Sequence, residues 1–158
     1  MRKIITTIAL AALSSLAIAG TQSANFQATA TLNAACTLSM NDFNFGAILF
    51  NSDSSKLSQL KVTCNPGVTA TGTINTGGSG SFNRYMTDGT PSSDHLQYQI
   101  FLPGHSNTSI GDGSAGTETI PITGTGSVTT QWISGVVLRG QYLKPGNYSD
   151  SLTLKVTY

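Results

Sequence analysis

The residues of this chain that could do chemistry are two cysteines, two histidines and a few isolated acids. Asp94 and His95 follow Ser92 and Ser93, so the residue types of a Ser/His/Asp hydrolase site lie close together. However, neither serine has the flanking glycines of a nucleophile elbow, and adjacent residues of a strand point to opposite faces. We therefore interpret His95 as a surface residue at the start of a strand, and we predict no catalytic residue and no enzymatic activity.

Cys36 and Cys64 are the two cysteines of the chain. An even pair in an exported protein is typical of a disulfide, and two buried free thiols are the less favoured alternative. A metal site would need further ligands, and His95 and His105 stand at unrelated spacings. The segment Asp112-Gly113-Ser114 lacks the ligand density of a calcium loop. The sequence thus predicts a Cys36–Cys64 disulfide and neither a metal ion nor a cofactor.

The beginning of the chain has the pattern of a secretory signal peptide. Arg2 and Lys3 form a positively charged start, residues 4–16 are mostly apolar, and cleavage is expected after Ala19 or Ala24. The alternative is a retained membrane anchor, but the apolar run is shorter than the roughly 20 residues that a spanning helix needs. We therefore expect the protein to be exported.

Cleavage would leave about 135 residues, which is enough for one domain. Charged residues make up only 9% of the full chain. Removing Arg2 and Lys3 would leave six basic residues against seven acidic ones, so the mature protein would be close to neutral. A surface of this kind does not attract nucleic acid or an anionic membrane, and we predict neither as a partner.

Short runs of alternating residues, separated by glycine- and proline-rich turns, predict an all-β fold. The runs are residues 57–64, 68–74, 96–102, 117–122, 128–138 and 151–158. Regularly spaced short strands of this kind are typical of a β-sandwich. The single tryptophan, Trp132, falls in the longest run, and we expect it in the core.

Residues 25–34 form a further alternating segment directly before the first cysteine. Their apolar positions are Phe26, Ala28, Ala30, Leu32 and Ala34. This period of two gives a strand one apolar face, which a strand cannot bury by itself. The segment must pair either within its own domain, as an ordinary first strand, or within a neighbouring molecule.

The last run favours pairing with a neighbour. In residues 151–158 the positions expected to face inward are Leu152, Leu154, Val156 and Tyr158. The printed sequence stops within this run, so both ends of the mature chain have the pattern of an unfinished sheet, which proteins seldom leave unprotected.

Four pieces of the sequence, taken in order, resemble a known family. They are Ala34-Ala35-Cys36-Thr37-Leu38, Phe43-Asn44-Phe45-Gly46, Val62-Thr63-Cys64 and the closing segment Gly146-Asn147-Tyr148-Ser149-Asp150-Ser151-Leu152-Thr153-Leu154-Lys155-Val156-Thr157-Tyr158. The pattern is similar to that of the spore coat protein U domain family, which includes subunits of archaic chaperone–usher pili. The resemblance covers essentially the whole mature chain.

The resemblance implies an immunoglobulin-like β-sandwich that lacks its final strand and is completed by donor-strand exchange. A periplasmic chaperone would fill the gap first, and the N-terminal strand of the next pilin subunit would replace it at an outer-membrane usher. The domains implied are a signal peptide (1–24), a donor strand (25–35) and the sandwich (36–158). The protein would reach the periplasm and then the cell surface as part of a head-to-tail fibre.

The resemblance also implies site residues for this exchange. The donor residues would be Phe26, Ala28, Ala30 and Leu32. The acceptor groove would include Leu152, Leu154 and Val156. The alternative function is that of a secreted lectin-like or tip adhesin module.

Overall fold

The computed structural model describes residues 21–90 and 94–158. Most of the expected signal peptide (residues 1–20) lies outside the described residues, as do Ser92 and Ser93. The chain divides into two units, one ending at Leu32 and one running from Asn33 to Tyr158. In the described part of the first unit no helix or strand is formed, and Phe26 and Leu32 are 93% and 85% exposed.

The second unit contains nine antiparallel β-strands and one 3-10 turn, Gly77–Ser79, within its described residues. The strands are β1 (Cys36–Met40), β2 (Ser54–Cys64), β3 (Thr69–Ile74), β4 (Tyr85–Met86), β5 (Leu96–Gln97), β6 (Gln99–Phe101), β7 (Ile120–Thr123), β8 (Thr129–Val137) and β9 (Leu154–Thr157). One sheet has the order β1-β2-β8-β6 and the other has the order β7-β3-β9. Strands β4 and β5 form a separate small pair.

The two larger sheets pack face to face over one hydrophobic core. The first sheet contributes Leu60, Ile100 and Ile133, all fully buried, and the second contributes Ile74 and Ile120, which are almost fully buried. Alternate residues of each strand point inward, as the period of two requires. The prediction of an all-β sandwich is confirmed.

The expected alternation is confirmed along the run 96–102. Its even-numbered residues are all buried: Leu96, Tyr98, Ile100 and Leu102. The run nevertheless forms two strands, β5 and β6, because its residues change partners at Tyr98. Gln97 pairs with Tyr85, whereas Gln99 pairs with Val136.

The prediction that Trp132 lies in the core is wrong. Ile133, Gly135 and Val137 are the inward residues of β8, so Trp132 falls on the outward face and is 45% exposed. It lies opposite Gln59 of β2. Tyr158 was also expected inward, but it follows the end of β9 and is 56% exposed.

The Cys36–Cys64 disulfide is confirmed, with an S–S distance of 2.06 Å. The two residues are also direct partners in the register of β1 and β2. The bond therefore fixes the start of the short edge strand β1 to the end of the long strand β2.

Candidate functional site

The two sheets have four edge strands, and they differ in their capacity to accept a further strand. At β6 the amide of Ile110 donates to the carbonyl of Ile100 at 2.8 Å, so that edge is partly covered. Strand β7 contains Pro121, which lacks an N–H and is typical of edges protected against pairing. Among the described residues, β1 and β9 each pair with a single strand and have neither protection.

A groove of about 660 Å³ lies between these two edges. Leu38 and Met40 of β1 line one side of it, and Leu152 and Leu154 line the side of β9. Leu38 is 43% exposed, although it lies on the inward face of β1 opposite the buried Val62. The groove thus leaves apolar side chains open to solvent along both free edges.

Aromatic rings line the groove next to β8. The rings of Phe43 and Phe45 stack with centroids 6.1 Å apart, and Phe45 meets Tyr98 edge-on at 6.2 Å. Gly135 of β8 makes room for this pair. A Cβ at that position would stand 2.8 Å from Cδ1 of Phe43 and 2.9 Å from Cζ of Phe45. The absence of a side chain at residue 135 therefore sets how far the two rings recede from the groove.

A carboxylate network holds the groove wall just before β9. The hydroxyl of Tyr98 donates to Oδ2 of Asp150 at 2.7 Å. Oδ1 of Asp150 accepts from the amides of Gly78 and Ser151, both at 2.8 Å. Burial, and then the bond to Asp150, raise the pKa of the Tyr98 phenol, so its hydroxyl remains a donor even at alkaline pH.

A buried arginine supports the same region. Arg84 is fully buried, and its guanidinium donates to the carbonyls of Ile74 (3.1 Å), Asn75 (2.8 Å) and Ile110 (2.8 Å). Burial lowers the pKa of Arg84. The side chain joins the end of β3, which borders the groove through Ile74, to the loop before β7.

The model of the Spore Coat Protein U domain family matches residues 22–155 of the chain. The chain belongs to this family. The match extends over both the exposed residues 25–35 and the sandwich with its groove. No curated protein matches the chain significantly.

Among solved structures, this spore coat protein U domain is similar to a chain in the crystal structure of the CsuC–CsuE chaperone–tip adhesion subunit pre-assembly complex. That complex comes from archaic chaperone–usher Csu pili of Acinetobacter baumannii. The TM-score is 0.61 and the sequence identity is 20%, with 81% of this chain and 41% of that chain covered. At this identity the likeness shows a shared fold, and this chain spans about two fifths of the length of its match.

The groove of this spore coat protein U domain contains two of the three predicted acceptor residues, Leu152 and Leu154. Val156 is half-buried on the same face of β9 but does not line the groove. All four predicted donor residues, Phe26, Ala28, Ala30 and Leu32, are exposed.

Sequence reasoning missed most of the groove lining. The residues that it missed include Leu38, Met40, Phe43, Phe45, Tyr98 and Asp150. Leu38 and Met40 alternate with polar residues after Cys36, and this signal could have identified β1 as a strand. Nothing in the local sequence signals the distant partners of Tyr98 and Asp150.

The histidines lie apart from the groove lining. The exposed ring of His95 stacks on Tyr85 with centroids 3.8 Å apart, just before β5. Nδ1 of His105 lies 2.7 Å from Oε2 of Glu118 in a loop. Within residues 21–90 and 94–158, no three His, Cys, Asp or Glu side chains cluster as a metal ion would require. No helix in these ranges has the length and apolarity to cross a membrane.

Proposed function

We propose that the protein is a structural subunit of a surface fibre, and that its groove receives an extended strand from another polypeptide. The observation that supports this most directly is the groove between β1 and β9, which exposes apolar side chains along the two edges that, among the described residues, are neither covered nor interrupted by proline. An added strand would pair with a free edge and cover Leu38 and Leu152. This is recognition by β-augmentation, in which main-chain bonds give affinity and side-chain pockets give specificity.

The proposed occupant in the fibre is the leader of a second subunit, residues 25–35. Phe26 and Leu32 are almost fully exposed, and they stand on the same face of the alternating pattern as Ala28 and Ala30. Burying such a large apolar side chain contributes about 1.5–3 kcal/mol, and each main-chain hydrogen bond contributes about 0.5–1.5 kcal/mol. Because the leader and the groove are different surfaces, the contact is heterologous, and repeating it gives an open filament.

The partners that we propose follow from family and fold. The matched crystal structure is of a chaperone–subunit pre-assembly complex from chaperone–usher pili. By analogy, a periplasmic chaperone would occupy the groove of this chain first, and an outer-membrane usher would exchange it for the leader of the next subunit. Export to the periplasm would precede these steps, and incorporation into the fibre at the cell surface would follow them. The proposal requires no catalysis, cofactor or nucleic acid.

The test is to express variants together with the cognate chaperone and usher. Cell-surface extracts are then analysed on denaturing gels without boiling the samples. Strand-exchanged polymers of the full chain should persist as ladders. Leu38→Asp should abolish the ladder, because it places a carboxylate in the groove at an already accessible position. Ser39→Asp is the matched control, since Ser39 lies on the outward face of the same strand opposite Lys61.

Removing residues 25–34 tests the leader separately. The shortened chain should still co-purify with the chaperone, because its groove is intact, but it should form no ladder. Normal ladders from this deletion would refute the leader as donor, and normal ladders from Leu38→Asp would refute the groove as acceptor.

A further inference from the structure

A second cleft, of about 650 Å³, lies on the outward face of the first sheet. Leu57, Ser134 and Phe101 form one cross-strand row over β2, β8 and β6, and all three line the cleft. Their chain neighbours Ser58, Ile133 and Ile100 are buried in the core, so the row faces outward. The cleft thus has an apolar wall built on strands.

Side-chain amides form a second wall of the cleft. Gln141 accepts from the backbone amide of Gln97 at 2.6 Å and donates to the carbonyls of Gln97 and Leu138, both at 2.9 Å. The two bonds to Gln97 fix the loop after β8 against β5, and the bond to Leu138 lies within that loop. Gln99 also lines the cleft, and its amide nitrogen donates to the carbonyl of Phe82 at 2.8 Å.

Two polar atoms of the lining residues have no hydrogen-bond partner among the described residues. One is Nη1 of the fully buried Arg84, and the other is Oε1 of Gln99. Unsatisfied buried groups are rare in proteins, and each calls for a specific explanation. Both atoms have almost no surface open to solvent, so a ligand in the cleft would reach them only after the two side chains shift.

The charges of the cleft have a single sign. Arg84 and Arg139 line it, and no Asp or Glu is among the lining residues described. The side chain of Arg139 is 70% exposed and forms a loose ion pair with Asp53, whose Oδ1 lies 4.0 Å from Nε and also accepts the backbone amide of Arg139 at 2.8 Å. A guanidinium in a loose, exposed pair of this kind suits a carboxylate ligand, which arginine binds through paired donors.

We propose that this cleft binds a carboxylate-bearing sugar, such as a hexuronic acid unit of a polysaccharide. Arg139 would bind the carboxylate, the amides of Gln97 and Gln99 would bind hydroxyl groups, and the apolar face of the sugar ring would lie on Phe101 and Leu57. The combination of a mostly apolar concave wall with a few convergent polar groups is typical of small-ligand sites. Tyr98 is the one described residue that lines both the cleft and the groove, and the strand exchange proposed above does not use the cleft as a binding site.

The test is a titration of the full chain with sodium D-glucuronate, monitored through the side-chain amide signals of Gln97, Gln99 and Gln141 in ¹H–¹⁵N spectra. D-Glucose and sodium acetate are the matched probes, because they carry the hydroxyls alone and the carboxylate alone. We expect saturable shifts with glucuronate at a lower concentration than with either control. Absence of saturable shifts, or equal affinity for glucose and glucuronate, would overturn the proposal.

Two pairs of variants locate the site. Arg139→Gln should weaken glucuronate binding about two- to fivefold, in line with an exposed ion pair, and should leave glucose binding unchanged. Lys144→Gln is its control, because Lys144 is an exposed cation that does not line the cleft. Ser134→Leu should fill the cleft and abolish binding, whereas Thr130→Leu, outward on the same strand, should not. If the two variants of either pair changed glucuronate binding equally, the assignment of the binding site to this cleft would be overturned.

Discussion

The hydroxyl of Tyr98 donates a 2.7 Å hydrogen bond to Oδ2 of Asp150, across 52 residues of sequence. Tyr98 lies between β5 and β6 and is only 5% exposed, whereas Asp150 precedes β9. The other oxygen of Asp150 accepts the amide of Gly78 in the 3-10 turn. The bond therefore sets the position of one wall of the groove relative to the core.

Tyr98→Phe should lower the free energy of unfolding by about 1–3 kcal/mol, because Asp150 loses a donor in a partly buried site. Urea unfolding at pH 7 would measure the change. Tyr142→Phe is the matched control, since Tyr142 is 82% exposed and its loss of a hydroxyl should change stability by less than about 0.5 kcal/mol. An unchanged midpoint for Tyr98→Phe would show that the bond contributes nothing to the fold.

Tyr98 should also make the stability of the folded protein depend on pH. Burial, and next the bond to Asp150, raise the pKa of Tyr98 in the folded protein above the value of about 10 that applies when the chain is unfolded. Above pH 10 the unfolded chain therefore holds fewer protons than the folded one, and stability must fall as pH rises. The slope for one proton is about 1.4 kcal/mol per pH unit.

Unfolding free energies measured between pH 8 and pH 11 would test this. Above pH 10, the free energy of unfolding of the Tyr98→Phe variant should fall less steeply with pH than that of the wild-type protein. Below pH 9, the two stability curves should run parallel. Groups that do not interact with residue 98 cancel in this comparison, whereas Arg84, whose pKa Tyr98 helps to raise, does not cancel fully. Parallel curves over the whole range would contradict the prediction.

The strand pattern of the sandwich could be predicted from the sequence because it depends on local alternation. Leu60, Val62 and Cys64 alternate with polar residues, and all three are buried as expected. The disulfide could be predicted from the pair of cysteines in an exported chain. The prediction for Trp132 is wrong because its size favours burial, while Ile133 and Gly135 occupy the inward face of its strand.

The groove could be predicted only in part, because its shape depends on contacts between residues far apart in sequence. Leu152 and Leu154 share the apolar face of an alternating segment, and the structure places both along the groove. In contrast, Arg84 precedes a two-residue strand, and its burial results from carbonyls at the end of β3 and before β7. No spacing in the sequence encodes that convergence.

Gly135→Ala should both destabilise the fold and narrow the groove. Its Cβ would stand 2.8–2.9 Å from the rings of Phe43 and Phe45, so the rings must move. We expect a loss of about 1–3 kcal/mol, as for other overpacked cores, and weaker ladders on unboiled gels. Gly146→Ala is the control, because its Cβ would meet only Tyr148, at 3.7 Å. Equal stability of the two variants would show that the rings have room to yield.

Replacing both Cys36 and Cys64 by alanine should cost about 3–4 kcal/mol, from the chain entropy of a loop closed across 28 residues. Since the bond holds the start of β1, amide hydrogen exchange in residues 37–40 should also accelerate. Reducing the wild-type chain should reproduce both effects. If amide hydrogen exchange in β1 stays slow after the disulfide is reduced, then pairing with β2 alone is sufficient to hold this border of the groove.

The last prediction concerns the two large residues of the leader. Phe26→Ser and Leu32→Ser should each weaken the joint between subunits by about 1.5–3 kcal/mol, because each removes one large apolar side chain from the donor face. The sample temperature at which the polymers dissociate, seen as loss of the ladder on denaturing gels, should therefore fall for both variants. Ala28→Ser should have a smaller effect, since it removes little apolar area.

Thr31→Ser is the control for the leader, because Thr31 lies on the polar face of the alternating pattern. Its ladders should dissolve at the wild-type temperature. If Thr31→Ser weakens the ladders as much as Leu32→Ser does, the leader must insert with its other face inward. If neither Phe26→Ser nor Leu32→Ser has an effect while Leu38→Asp still abolishes the ladders, then the groove accepts a strand from a different segment.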